Sequence, residues 1–333
     1  MILAVGEILA DMIGEKNDNY EKNVNFAKSG SGDNCEKSSG GSGDNCQNGN
    51  RQDGNGGNGM TFKAFCGGAP FNLAVNAKQS GAKVGFVGRV GNDVIGRFVT
   101  AEAQKANLDY LDIQTDDERN TTIAFVTLTD SERDFAFNRH DTADFNIDLG
   151  EIDFDKYEDL SILHLGSLML SEETGRKFAK KVAKKAKDLG VKLSFDMNFR
   201  KDIYRDFKDA KKAYAPFVEC ADIIKFSEDE LADYTGIQDM DKAAESLYVK
   251  DRLLLVTLGK DGSAYYYNGI KGVVPSISGC KCVDTTGAGD AFFGAFLVAI
   301  EGKEMTKENL DNAAMKGNIK GAKATEFYGA IQL

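Results

Sequence analysis

Short apolar runs and longer amphipathic stretches alternate along most of the chain. Ile2–Val5 is a continuous apolar run, as expected of a strand buried on both faces. Pro70–Ser80 reads as a helix closed by Gly81, and Lys83–Val87 as the strand that follows. Asp93–Ala106 carries helical periodicity, while Thr121–Leu128 and Asp134–Asn138 read as strands parted by the polar Thr129–Arg133 turn. Ile162–Leu165 is another buried strand. Glu172–Leu189 is an amphipathic helix with Phe178, Val182, Ala186 and Leu189 on its apolar side. Val191, Leu193 and Phe195 alternate toward Asp196, Ile223–Phe226 and Leu253–Leu258 continue the strand series, and Asn268-Gly269 marks a hairpin. Two further helices fit Ala291–Ile300 and Lys307–Lys323. Strands alternating with helices predict an α/β fold of three layers, with a mostly parallel central sheet covered on both faces. The β-rich pieces near Asp11–Ile13, Thr61–Ala64 and Thr121–Arg139 fall outside that alternation and predict a small β-sheet lid beside the main layer.

One segment breaks the pattern. Of 36 Gly in 333 residues, 10 fall between Gly30 and Gly59, amid Asn, Asp and Ser and almost no large apolar side chains. The hexapeptide from Gly30 to Cys35 recurs from Gly41 to Cys46. No strand precedes these Gly-x-Gly strings and no helix follows, so they fail the context of a dinucleotide loop. The segment at about 18–59 reads as a low-complexity flexible insertion.

Composition narrows the class. The balance of 41 Lys+Arg against 52 Asp+Glu, net −11, argues against nucleic-acid binding. No run approaches the roughly 18 apolar residues of a membrane span, and the N-terminus lacks the features of a secretory signal. The six Cys, at 35, 46, 66, 220, 280 and 282, read as reduced thiols of a cytoplasmic protein. With only His140 and His164, a histidine metal site or proton relay has few donors.

The stretch with the most chemical content runs Asp284-Thr285-Thr286-Gly287-Ala288-Gly289-Asp290-Ala291-Phe292 into an apolar helix. Gly287 and Gly289 permit a tight turn in which successive N–H groups converge at a helix N-terminus, where free donors and the dipole favour an anion. Such a nest, made by Gly287, Ala288 and Gly289, would stabilise a transferring phosphoryl group. Asp290 is placed to take a proton from an attacking hydroxyl. A bare Gly-x-Gly-Asp is more often a helix cap; the whole nine-residue string favours chemistry. Neither a Walker-type loop nor the protein-kinase strings occur, so phosphoryl transfer would need another scaffold.

These residues resemble the PfkB (ribokinase-like) family of carbohydrate kinases, most closely the bacterial fructokinases. Asp284–Phe292 is similar to the family's C-terminal signature, and Gly67-Gly68-Ala69-Pro70-Phe71-Asn72-Leu73-Ala74 to its N-terminal Gly-Gly signature. Further matches in family order are Gly6–Asp11, Gly88–Asp93, Asp196–Arg200, Ser227–Glu230 and Val256–Gly259, leaving only about Asp18–Gly59 unmatched. The resemblance implies one ribokinase-like kinase domain over 1–333, its lid built discontinuously from about 11–66 and 118–140.

The resemblance also implies roles. Asp290 is the general base beside the anion hole of Gly287, Ala288 and Gly289. Asp11, Gly67, Gly68, Asn72 and the lid residue Arg139, which precedes Ala143-Asp144, face the sugar. Thr257, Gly259, Gly262 and Asn318 border ATP, and Glu230 holds Mg²⁺ through water. Asp284 and Thr286, with backbone carbonyls of Ala324 and Gly329, hold a monovalent cation such as K⁺. The implied activity is ATP-dependent phosphorylation of a sugar's primary hydroxyl, D-fructose to fructose 6-phosphate. The alternatives are a 2-keto-3-deoxygluconate or other sugar or nucleoside kinase, kept open by Arg89, Arg139 and Arg200, and a sensing pseudokinase. Homodimers through the lid are implied as well. The chain departs from the family in Lys201-Asp202-Ile203-Tyr204 after Arg200, in Ser227, in the segment Phe327–Ala330 that lacks a basic residue, and in the insertion.

Overall fold

In chain order the strands are β1 (Ile2–Val5), β2 (Leu9–Gly14), β3 (Phe62–Gly67), β4 (Val84–Gly91), β5 (Tyr110–Asp116), β6 (Ile123–Thr129), β7 (Glu132–Asn138), β8 (Ile162–Leu165), β9 (Lys192–Asp196), β10 (Ile223–Ser227), β11 (Leu253–Thr257), β12 (Ser263–Tyr267) and β13 (Ile270–Val274). The helices are α1 (Ala69–Gln79), α2 (Val94–Lys105), α3 (Glu173–Leu189), α4 (Phe207–Cys220), α5 (Glu228–Thr235), α6 (Met240–Ser246), α7 (Ala288–Ile300) and α8 (Lys307–Ala324). They come from a computed structural model that describes residues 1–14, 61–129, 132–200, 203–204 and 206–333. The insertion expected at about 18–59, with its repeated hexapeptide, lies outside the described residues.

Strand β1 shows how the apolar runs are used. Leu3 and Val5 enter one apolar cluster and Ile2 and Ala4 the other, because successive side chains of a strand point to opposite faces. A run without polar residues is therefore a strand covered twice. It lies in a nine-stranded sheet of order β13-β12-β11-β10-β9-β8-β1-β4-β5, parallel from β11 to β5. β12 and β13 add an antiparallel edge. Asn268 and Gly269 join them with φ of 45° and 80°, the left-handed pair that a type I′ hairpin turn requires. One face of the sheet is covered by residues such as Phe178 of α3 and Tyr214 and Phe217 of α4. Phe71 of α1, Phe293 and Phe296 of α7 and Leu310 of α8 cover the other. This is the three-layer α/β/α arrangement.

Helix α7 begins three residues before the expected Ala291, since Gly287 starts it and Ala288 and Gly289 already lie in its first turn. It is buried almost all round between α1, α8 and the sheet, so its sequence carries no polar stripe. Strand β5 and helices α4, α5 and α6 were not apparent in the hydrophobic pattern. β5 is an edge strand of half-buried residues, and α5 and α6, of 8 and 7 residues, are too short for a stripe to repeat.

Two features of topology position the site. From β1 the chain winds outward through β4 and β5 on one side, then through β8 to β11 on the other. The carboxyl ends of β1 and β8 thus border a topological switch point, where α/β sheets open a ligand crevice. A second sheet, of order β3-β2-β6-β7, follows β1 directly at that same end. Its β2–β3 and β6–β7 pairs are antiparallel and its β2–β6 pair parallel.

Gly14 and Phe62 are register partners at the open end of the β2–β3 pair, so the two strands end side by side. Replacing 15–61 by a hairpin turn of about four residues should keep both sheets. Loop-closure entropy scaling as (3/2)RT ln n predicts a gain on the order of 2 kcal/mol. Differential scanning calorimetry reads this as a slightly higher melting temperature; a lower one would show that the segment contributes contacts to the fold.

Candidate active site

The glycine-rich string forms the first turn of α7. Gly287 has φ 74°, and a Cβ there would stand 2.5 Å from the Ala330 carbonyl oxygen, so conformation and space both demand glycine. The first four N–H groups of a helix have no partner within it. Here Ala288 donates to the Thr285 carbonyl at 3.3 Å and Ala291 to that of Gly287 at 2.8 Å. Among the described residues the N–H groups of Gly289 and Asp290 have no backbone acceptor, and they point out of a helix end that favours anions.

Asp290 itself is half-buried, and Asn72 Nδ2 donates to its Oδ2 at 2.9 Å. Burial pushes its carboxyl up to about 7, helped by the Asp196 carboxylate and opposed by the Asn72 bond, Lys225 and Arg200. Asn72 comes from the first turn of α1, where its N–H bonds the Gly68 carbonyl at 2.8 Å. Gly68, with φ 113°, lies so close to the Glu7 carbonyl that a Cβ would collide with it. The Asn72 Oδ1 is buried without a hydrogen-bond partner, an acceptor matched to a hydroxyl donor.

Toward the second sheet, the Asp11 carboxylate of β2 lies directly over Gly67. Arg139 follows β7, and its guanidinium is held rather than open. It ion-pairs with Asp144, donates to the Leu168 carbonyl at 2.7 Å and stacks 4.1 Å above the Phe145 ring. Asp144 in turn accepts from the hydroxyls of Thr122 at 2.6 Å and Thr142 at 2.7 Å. Arg139 is therefore a buried brace at this end of the molecule.

Thr257 ends β11 and is followed by Gly259 and Gly262, both with positive φ. Leu258 N–H closes this turn on the Gly262 carbonyl at 2.8 Å. Asn318 spends its amide on the carbonyls of Val274 (2.9 Å) and Pro275 (3.2 Å), pinning the segment after β13. Glu230 closes a capping box at the start of α5: its Oε2 accepts from Ser227 N–H and its Oε1 from Phe199 N–H, each at 2.7 Å. Asp284 Oδ1 accepts from Thr286 N–H at 2.6 Å and Oδ2 from Gly329 N–H at 3.0 Å. Its own N–H and that of Val283 donate to the Thr325 carbonyl, just past Ala324 at the end of α8. The four residues expected to hold a monovalent cation thus converge, with oxygen donors of the hard type such a cation prefers. Among the described residues, no three His, Cys, Asp or Glu side chains group as a metal cage.

Residues 44–332 match the family model described as pfkB family carbohydrate kinase. The chain belongs to that family. Among similar curated proteins are the probable fructokinase-5 of Arabidopsis thaliana, 38% identical over 80% of this chain and 83% of that protein. Fructokinase-2 of Solanum lycopersicum is 36% identical, over 80% and 82%. Among solved structures, a sugar kinase from Pyrococcus horikoshii in complex with ATP is 30% identical, with a TM-score of 0.76 over 99% of this chain and 94% of that one. A fructokinase from Xylella fastidiosa with bound ATP, 24% identical, has a TM-score of 0.79 over 99% and 93% and bears on the fold alone.

In this pfkB kinase two site residues had no role in the sequence reading. Lys225 is buried in β10, its Nζ 2.7 and 2.8 Å from the two carboxylate oxygens of Asp196. The signal was a lysine inside the apolar run Ile223-Ile224-Lys225-Phe226. Glu7, just past β1, is fully buried and both its carboxylate oxygens lack hydrogen-bond partners. Burial lifts it to about 7, against the pull of Arg139.

The raised Asp290 sets a stability sign. Its folded-state proton affinity exceeds the unfolded one, so its contribution is fully present below about pH 4 and is lost as pH rises through about 7. Asp290→Asn removes that cost and should melt at or above the parent at pH 8, with the gap closing at pH 5. Thermal melts at the two pH values check this; a variant that melts lower at pH 8 contradicts it.

Proposed function

We propose that this carbohydrate kinase moves the γ-phosphoryl group of ATP to the primary hydroxyl of D-fructose, giving fructose 6-phosphate. The observation that carries the reading is Asp290 in the first turn of α7, bonded to Asn72 and adjoining two N–H groups with no backbone acceptor. Asp290 takes the hydroxyl proton as the oxygen attacks in line, and Asn72 holds the carboxylate toward it. The Gly287–Gly289 turn receives the charge that develops on the phosphoryl oxygens. Asp11, Gly67 and Gly68 line the sugar side under a lid formed by the second sheet, whose closure excludes water. Thr257, Gly259, Gly262 and Asn318 border the nucleotide. Mg²⁺, when bound with ATP, neutralises phosphate charge; Glu230 would hold it through water by lone pairs left over from its two backbone bonds. Asp284, Thr286, Ala324 and Gly329 would hold K⁺ behind the turn.

A neutral sugar is favoured over an acidic one because two of the three arginines that kept the acidic sugar open, Arg89 and Arg139, are committed within the protein. Arg89 lies 3.1 Å from Asp116 and donates to the Asn146 carbonyl, and Arg139 is paired with Asp144. The fructokinases among its relatives support the same choice. Among the described residues no helix is long and apolar enough to cross a membrane. We place the enzyme in the cytoplasm, working on small molecules alone, with pairing of lids as its mode of dimerisation.

In a coupled ADP-release assay with fructose, Asp290→Asn should lower kcat by roughly 10²–10⁴-fold while the protein stays folded. Retained turnover would remove Asp290 from the mechanism. Because the base must be ionised, kcat/KM should climb with pH up to about 7 and level off above it. Fructose should exceed ribose, ketodeoxygluconate and nucleosides as acceptor; a preference for ketodeoxygluconate would overturn the neutral-sugar reading.

A further inference from the structure

The buried Lys225–Asp196 pair has no part in the chemistry described so far. A lysine is almost never fully buried unless paired, and pairing two charges in the interior seldom gains stability over an apolar replacement. Its location is therefore informative. Asp196 and Lys225 are register partners on the adjacent parallel strands β9 and β10, at the carboxyl end of the sheet where the crevice opens. Both side chains are 6% exposed. The Lys225 ammonium lies 3.4 Å from where a Cβ of Gly289 would stand, against the first turn of α7.

Around Asp290 the charges come from every neighbouring element. Asp196 at the end of β9 and Glu7 after β1 contribute negative charge, and Lys225 of β10 and Arg200 after β9 contribute positive charge. Asn72 of α1 supplies its hydrogen bond, and Glu230 of α5 acts on Lys225. Without Lys225, Asp196 would stand near Asp290 as a second carboxylate stripped of its ion-pair partner, and two such groups in one site do not both ionise readily.

We propose that Lys225 is a positioning residue for phosphoryl transfer, its ammonium held on Asp196 beneath the α7 turn so that Asp290 stays an ionised base beside a second carboxylate. The proposal rests on the kinase reading above. Lys225 acts through Asp290 and Asp196 and touches no reacting atom. Its loss differs from simple loss of packing because the two partners of the pair have opposite effects on Asp290.

The test is a ¹³C-carboxylate NMR titration of the ligand-free protein, the Asp290 resonance being identified by its absence in Asp290→Asn. Parallel profiles of kcat/KM against pH are recorded with fructose. Lys225→Met should raise the Asp290 midpoint by about one pH unit or more, on the scale of an opposite charge removed from nearby. The acidic limb of the rate profile should move with it. Asp196→Asn, which leaves the ammonium without its partner, should lower the midpoint, and Lys225→Met with Asp196→Asn should bring it back toward the parent value. Lys225→Arg keeps the charge and should stay near the parent. Midpoints that do not move, or that move in the same direction in both single variants, overturn the proposal. If Lys225→Met fails to fold, Asp196→Asn and the double variant decide by the same signs. If the midpoints shift as expected but the parent phosphorylates no sugar, the kinase reading fails and the coupling stands.

Discussion

The carboxylate of Asp290 sits among groups that oppose its negative charge. Asp196 and Glu7 lie near enough to oppose that charge, and both are themselves withdrawn from solvent. The local answer is a set of fixed partners: an amide from Asn72, an ammonium from Lys225, a guanidinium from Arg200. These leave the group titrating near neutrality instead of fully protonated. A base poised there suits proton abstraction from a hydroxyl at neutral pH, because it is ionised often enough to act and basic enough to be useful.

The rest of the structure holds that arrangement in place. α7 is apolar on nearly every side and wedged among α1, α8 and the sheet, so its N-terminal turn has no freedom to drift. The Gly287–Ala330 approach and the bonds of Asp284 to Thr286 and Gly329 fasten the turn from behind. α1 starts beside it and supplies Asn72. The switch point at β1 and β8 brings the two helix N-termini to one crevice even though their residues are more than two hundred apart in sequence. The same burial that raises the proton affinity of Asp290 and Glu7 costs stability at alkaline pH.

Most elements could be read from periodicity because a parallel sheet covered twice uses unbroken apolar runs for strands and striped sequences for helices. Ile2–Val5, Ile162–Leu165 and Glu173–Leu189 show this plainly. The half-buried edge strand β5 and the short helices α5 and α6 are marginal in the physical sense, whereas α4, also outside the predicted elements, is a 14-residue helix of ordinary length. The Gly287 turn and the helix starts that carry Asn72 and Asp290 are legible because glycine turns and helix starts are local and leave local marks. The resemblance implies Arg139 as a sugar-facing lid residue, and its commitment to Asp144 depends on a fold that brings Leu168 and Phe145 alongside it. Asn318 and Glu230 were read as ligands of nucleotide and metal. The structure shows each also doing the work of a clamp, on the Val274–Pro275 carbonyls and on the N–H groups of Ser227 and Phe199.

The chain by itself determined the three-layer architecture and the family, since both are written in nearest-neighbour patterns of apolar, small and turn-forming residues. Only the tertiary structure decided which charges meet. Lys225 and Asp196 become neighbours because two strands pair in register, and Glu7 becomes a buried, unpartnered acid because α1 and the strand ends close over it. Electrostatic energy depends on distance and on exclusion of water, and for residues far apart in sequence neither exists until the sheet is assembled.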